Sequence, residues 1–471
     1  MKHYTIKLSN IFFMLVLSIS AFMAIYFYSF GRPLWFDECA LALNIVEKNN
    51  YFTVLLYAQA CPPLFMYLSK LIHYLPVRAE YSLRIIPLMS FLASLPLFWA
   101  LLNKLFKNNL CKLTAFSIFA FNYRVLYYAE EFKQYSTEMF IFLLILTSYF
   151  YIDIKSIKTK YKILYGLILG LLLWCSNAAA VGIASVGLLH LIKIFKKECS
   201  VKDYLIIFLP SLISIVSYYF VMYDTVHHDV LHAYWEDSFI SANYNNFLKL
   251  MNRNAKYFFD EKCVIPAFIV LIGFFKCLFK NKFIVTIPIL ILLFISYLKI
   301  YPFTERLILF IFPLFTIAVA ELCNFEKKFI NLITLTIISI FLIFPAFKYS
   351  YNNICLNHFY HEDIVTPLKF TKNLMSDNDK LLIDNNNNRS FKYYNMLFKF
   401  KSEDIIYVSG DMSEFLNEIK QLPKGRYFYV HSHSSNRNEW LNAFYIFIKA
   451  LYDYRIYSDE YGNCLFVFTV S

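Results

Sequence analysis

The chain has 471 residues and a formal net charge of +12; 59% of its residues are hydrophobic, 20% aromatic and only 17% charged. A water-soluble fold of this length could not hide so much apolar surface, so the composition excludes a soluble globular protein and indicates a polytopic α-helical membrane protein. The lysines fall in short clusters between apolar runs, the pattern of topology signals at an anionic membrane face, so the positive balance points to membrane lipids and not to a nucleic acid.

Lys2 and Lys7 precede an apolar run that begins at Ile11. It lacks a small-residue cleavage site and is longer than a signal peptide, so it reads as an uncleaved first span. A crossing helix needs roughly 20 mostly apolar residues. By that measure the candidate spans are 11–30, 81–102, 113–129, 136–152, 162–176, 179–195, 204–223, 264–279, 283–300, 306–323 and 329–348, about eleven in all.

With a cytoplasmic N-terminus, every predicted inner connection is basic. They hold Lys104, Lys107 and Lys112; Lys155, Lys158, Lys160 and Lys162; Lys196, Lys197 and Lys202; Lys276, Lys280 and Lys282; and Lys327 and Lys328. The outer connections, 31–80, 130–135, Ser176–Asn177, 224–263 and 299–305, mix acids with bases or lack charge. Residues 1–351 are thus expected to form the membrane domain.

Residues 352–471 are polar, with short apolar pieces at Lys380–Ile383, Ile405–Val408, Tyr427–Val430 and Cys464–Val470. Helix-like segments at Asp411–Ile419 and Trp440–Tyr452 separate them, which predicts a small α/β domain, outside the membrane after an odd number of spans. The Asn385–Asn388 run reads as a solvated loop. No period of 20 to 50 residues repeats, and no matching halves of a transporter are visible.

The stretch around which the chain is organised is Gly31–Ile45, GRPLWFDECALALNI, in the first outer loop. Asp37 and Glu38 stand there inside an apolar amphipathic segment. Taking a carboxylate out of water costs free energy unless donors or cations compensate, and a partly buried one becomes a useful base. The competing reading is that Asp37 caps a short interfacial helix starting near Glu38. Further along the loop, Pro62 and Pro63 introduce a second short amphipathic helix, Leu64–Leu75.

Glu80 and Arg84 are spaced to meet on one helical face; either they form an interfacial ion pair or Arg84 contributes to an anion site. Glu130, Glu131 and Lys133 crowd one turn between two membrane helices, where charge is costly if idle. Arg306 follows Tyr301-Pro-Phe-Thr-Glu at the mouth of a late span, placed to grip a phosphate or merely to snorkel.

His228 and His232 are four apart, but no third ligand is specified by spacing, so no metal is expected there. His227, His358, His361, His431 and His433 receive the same reading. The ten cysteines show no C-x-x-C pair; a Cys39–Cys61 bridge within the first outer loop stays open as an alternative.

Together W-F-D-E-C-A-L-A, P-P-L-F-M-Y-L, E-Y-S-L-R, Y-Y-A-E-E-F-K-Q-Y-S and Y-P-F-T-E-R-L-I-L-F-I-F-P resemble, in order, the polytopic glycosyltransferases of the C-fold superfamily. The resemblance is to bacterial relatives of the protein O-mannosyltransferases (family 39-like) and of the lipid A aminoarabinose transferases, and it covers the membrane half of the chain. It implies a GT-C-like fold in a bacterial inner membrane and transfer of a sugar from a polyprenyl-phosphate-linked donor to a lipid, glycan or protein acceptor, with no further cofactor or metal.

The aspartate that serves as general base in the family falls on Asp37. Glu38 would orient it or bind the acceptor. Arg84, Glu131, Lys133, Tyr135, Tyr301 and Arg306 fall at the positions expected to hold the donor phosphate or substrate. Many relatives have arginine where this chain has Lys133, which neutralises phosphate without the planar fork. The rival readings are a transporter or flippase of a lipid-linked sugar, and a polymerase or ligase of lipid-linked glycans.

Overall fold

The computed structural model describes residues 8–260, 263–356, 362–432, 437–458 and 464–471. His358, His361 and His433 lie outside these. The described residues divide into two compact units: 8–30 with 50–356, and 31–49 with 362–471.

The first unit is helical. It starts with α1, Leu8–Ser29, a helix of 22 residues that is apolar on all sides. Each of the eleven expected spans falls on helix. Among the described residues, those long and apolar enough to cross a membrane are Ser9–Ser29, Ala79–Leu105, Ala178–Phe195, Val201–Val221 and Lys328–Leu356, or six if Tyr244–Phe259 and Val264–Phe279 count as one bent span. Others are shorter: Tyr135–Tyr151 and Thr159–Cys175 have 17 residues each, about 25 Å at ~1.5 Å per residue.

Four expected spans differ from uninterrupted α-helices; in 81–102 a turn at Leu83–Arg84 separates Ala79–Ser82 from Ile85–Leu105. The stretch 113–129 breaks after Ala120, because the Asn122 side chain accepts the Arg124 and Val125 amides and caps a new helix, Tyr123–Tyr128. The stretch 306–323 begins as a 3₁₀ helix, Glu305–Ile311, before Phe312–Glu321. The last helix runs to Leu356 and widens to π geometry at Ser339–Ile343, just ahead of Pro345, whose missing N–H and ring disrupt the regular ladder.

The connections sort into two groups. The Lys282 ammonium donates to Leu105 O at 3.5 Å and pairs with Glu321 at 2.5 Å, and Asn108 donates to Cys323 O at 3.5 Å, so the lysine-rich connections meet one another. Lys133 donates to Gln59 Oε1 at 2.9 Å, and Asn254 to Phe303 O at 2.9 Å, so connections of the other class meet too. Helices pack closely where glycine allows it: a Cβ on Gly273 would lie 2.2 Å from Ala318 O, and one on Gly166 2.3 Å from Ile207 O.

The second unit is a mixed α/β layer. Its strands are β1 (Lys380–Asp384), β2 (Ile405–Val408), β3 (Gly425–His431), β4 (Asp453–Ser458) and β5 (Cys464–Val470), in sheet order β2-β1-β3-β5-β4. β1 runs parallel to β2 and β3, through crossovers that contain the helices Asn388–Phe398 and Met412–Lys420. β5 lies antiparallel to β3 and β4. Leu382, Phe415, Tyr429, Phe444 and Phe466 form its core.

The Asn run is only partly solvated. Asn385 is exposed, whereas Asn387 is fully buried, donating to Asp384 at 2.8 Å and accepting from the Ser432 hydroxyl at 2.7 Å, and Asn388 already begins a helix. Burial raises the Asp384 carboxyl above the ordinary aspartate range, against hydrogen bonds from Tyr429 and Asn387 that work to lower it.

The remaining member of this unit comes from far up the chain. Helix α2, Phe36–Glu47, packs on the Asn388–Phe398 helix: Glu47 pairs with Lys392 at 2.9 Å, Arg389 lies 4.5 Å over the Phe36 ring, and the Leu34 amide donates to the Tyr394 hydroxyl at 2.7 Å.

Candidate active site

The acid pair occupies the first turn of α2. Backbone N–H groups at a helix start lack intrahelical acceptors and need others. Trp35 N–H donates to Glu38 Oε2 at 3.2 Å, and Phe36 N–H donates to Glu362 Oε2 at 3.1 Å. Glu38 is fully buried and is the residue of the pair that caps; the reading in which Asp37 does so is corrected. The physical reason is reach: a carboxylate on the third residue folds back to the preceding turn. Asp37, at the second position, is half-buried. Both acids gain from the positive end of the helix dipole.

The bridge between Cys39 and Cys61 is not formed. Both remain thiols, Cys39 donating to Leu34 O at 3.2 Å and Cys61 to Gln134 Oε1 at 3.6 Å. Burial raises the Cys61 thiol, only partly offset by the charge of Lys133.

The cationic residues are assembled within the membrane unit. The Arg84 guanidinium meets Glu130 Oε1 at 3.0 Å with both side chains fully buried, and Arg78 lies 3.4 Å from Glu80. Glu131 is buried in the same turn, and its carbonyl accepts the Lys133 amide at 2.7 Å. Lys133 is buried too, and its ammonium donates to Gln59.

Tyr135 opens the next helix, with its ring edge-on to Tyr128 at 5.0 Å. The Arg306 guanidinium lies 6.0 Å from the Tyr135 ring and 5.8 Å from Trp235. Tyr301 is turned into its own loop, donating to Leu307 O at 3.0 Å.

Two of these presentations use strained backbone. Tyr57 and Ala58, at φ 62° and 51°, immediately precede Gln59, and Glu305, at φ 42°, immediately precedes Arg306. Such left-handed conformations in side-chain-bearing residues persist only where their surroundings enforce them. At Glu305 the enforcing residue is Asn254, which accepts the Glu305 amide at 2.6 Å and donates to Phe303 O at 2.9 Å. Arg253 adds bonds to the Ser238 and Thr304 hydroxyls, each at 2.8 Å.

Sequence reasoning missed Gln59, Arg253, Asn254 and Glu362 as positioning residues. Gln59 lies three residues ahead of the quoted Pro62-Pro63 motif; the adjacent Arg253-Asn254 pair carried no spacing signal, and Glu362 is 326 residues from the amide it accepts.

Among the described residues no group of three His, Cys, Asp or Glu side chains could hold a metal ion. His232 is exposed in the last turn of Asp229–Trp235, and the His227 ring is engaged with Tyr223 O at 2.9 Å.

No protein-family model matches the chain, and no curated protein matches it. Solved structures do. The crystal structure of ArnT from Cupriavidus metallidurans bound to undecaprenyl phosphate aligns over 97% of this chain and 97% of its own, at 10% identity and a TM-score of 0.52. Its apo state aligns over the same shares with a TM-score of 0.50. The archaeal oligosaccharyltransferase AglB from Archaeoglobus fulgidus, in complex with an inhibitory peptide and a dolichol-phosphate, aligns over 98% of this chain and 74% of its own, at 11% identity and a TM-score of 0.53. With both units included in the alignment, the chain has the C-fold of these membrane glycosyltransferases.

Proposed function

We propose that this protein is a membrane glycosyltransferase that moves a sugar from a polyprenyl-phosphate-linked donor to an acceptor on the outer face of a bacterial inner membrane. The observation that carries the reading is the fold, shared over nearly the whole chain with a transferase solved with undecaprenyl phosphate. In the proposed topology the N-terminus is cytoplasmic, and residues 352–471 form an extracytoplasmic domain.

The proposed chemistry is a single inverting displacement. Asp37 accepts the proton of the acceptor hydroxyl as its oxygen attacks the anomeric carbon, and the bond to the lipid phosphate breaks with its electron pair remaining on phosphate. Lys133 and Arg306 match the charge that develops on the leaving group, Tyr135 supports Arg306, and Glu131 and Tyr301 serve the donor end. Arg84, bonded to Glu130, positions that turn. Glu38 holds the start of α2 and with it the orientation of Asp37.

The test is turnover of polyprenyl-phosphate sugars in membranes containing wild type or Asp37→Asn. Loss of a positioned base should lower the rate by about 10²–10⁴. Unchanged donor consumption in the variant would remove Asp37 from the mechanism. Movement of a lipid-linked sugar across the bilayer with no donor consumed would replace transfer by transport.

A further inference from the structure

Where the third expected span breaks, a groove opens in the membrane unit. Its cavity volume is about 120 Å³, and its mouth is open. Three irregular places border it: the cap at Asn122, the end of the Tyr244–Phe259 helix at Asp260 with φ 64°, and the π-helical stretch ahead of Pro345. Part of the lining is apolar, from Ile118, Phe341, Leu342 and Ala346. The rest carries charge, from Arg124, Lys256 and Asp260, a balance of one positive.

Arg124 is the informative residue. Its Nε donates to Tyr257 O at 3.1 Å, and its guanidinium lies 4.3 Å over the Tyr257 ring and 5.4 Å over the Tyr123 ring. These partners are neutral. Among the described residues no carboxylate pairs with Arg124, and its two terminal amino groups make no hydrogen bond. A half-buried guanidinium within a span-forming region is expensive unless an anion meets it, and its planar fork matches phosphate oxygens. An apolar wall beside such a group fits a ligand that is anionic at one end and hydrocarbon at the other.

We infer that this groove binds a lipid phosphate, with the headgroup on Arg124 and the chain along Phe341, Leu342 and Ala346. The inference stands apart from the transfer reading, because the groove shares no residue with the proposed catalytic and donor-binding set. A bilayer phospholipid and a free polyprenyl phosphate both supply this chemistry.

The test titrates the purified full chain with phosphatidylglycerol, undecaprenyl phosphate and, as an uncharged control, diacylglycerol. Arg124→Gln should weaken the phosphate lipid that binds here by about tenfold, the loss of one charge-assisted contact. Arg124→Lys, which keeps the charge and loses the planar fork, should fall between wild type and Arg124→Gln, and Ala346→Trp should block the chain path with Arg124 intact. Variant-sensitive binding of phosphatidylglycerol alone identifies a bilayer lipid; of undecaprenyl phosphate alone, a carrier lipid. Diacylglycerol binding as tightly as either, or affinities unchanged in both Arg124→Gln and Ala346→Trp, overturns the proposal. If Arg124→Gln fails to fold, Ala346→Trp carries the decision.

Discussion

Two acids of the membrane unit, both fully buried, are neutralised in opposite ways. Glu321 meets Lys280 at 3.1 Å and Lys282 at 2.5 Å, and the Lys280 side chain remains 45% exposed. Glu130 meets Arg84 at 3.0 Å, and neither side chain has any exposed surface. The first arrangement is wet and duplicated, so it resembles ordinary anchoring among lysine-rich connections. The second pays full desolvation for both charges, which a membrane protein has no reason to do for stability alone, since apolar packing of the same volume is commonly as good. What the dry pair supplies is a fixed geometry for the turn that also carries Glu131 and Lys133.

The difference can be broken most forcefully at Arg84. Arg84→Ala leaves Glu130 buried beside a lost partner and should destabilise the protein by about 3–5 kcal/mol, read as loss of folded protein on denaturation in detergent. Pairing Arg84→Met with Glu130→Leu should recover folding and leave turnover impaired. Recovery of both would reduce the pair to a structural role.

Next comes the strained loop before Arg306. Asn254→Ala removes the clamp on Glu305 and should cost about 1–3 kcal/mol, while Glu305→Gly, which relieves the left-handed backbone, should return part of it. Equal stability of the single and double variants would show that the strain is not stored there.

At α2, Glu38→Ala should cost about 1 kcal/mol through the lost cap, with a drop in turnover smaller than that of Asp37→Asn. A drop as large as that of Asp37→Asn would give Glu38 a direct chemical part. Lys280→Ala should change stability by less than ~1 kcal/mol, since Lys282 stays on Glu321 and the lost partner is solvent-exposed.

The α/β unit adds a pH test of small amplitude. The folded-state pKa of Asp384 is raised by burial, so its contribution is full below the ordinary aspartate range and is lost as pH rises through the folded value. Asp384→Asn should flatten that decline in a melting series across acid pH; an unaltered slope would assign the dependence to other carboxylates.

Hydropathy located the helices because an apolar run of the right length has few ways to satisfy its backbone in a membrane. It did not see the break at Asn122, although the pattern Asn122-Tyr-Arg124 inside an expected span was the available signal. The C-terminal strands were legible from alternation and turn residues, but β4 and the helices Val365–Leu374 and Asn388–Phe398 were not, because short polar-faced elements gain their definition from what they pack on. Of the candidate site, the residue types and their order along the chain were visible, whereas their partners were not. Arg84 meets an acid 46 residues away, a partner that its spacing to Glu80 did not announce.

By itself, the amino-acid sequence determined that this is a membrane protein, where its long apolar helices lie and which connections hold acids and bases, since each follows from local composition read against the cost of burying polar groups. Only the tertiary structure decided that Glu38 caps α2, that Glu362 shares the task, and that α2 belongs with the C-terminal α/β unit. Those outcomes depend on which distant donor or acceptor arrives within about 3 Å, a competition among contacts that spacing along the chain does not encode.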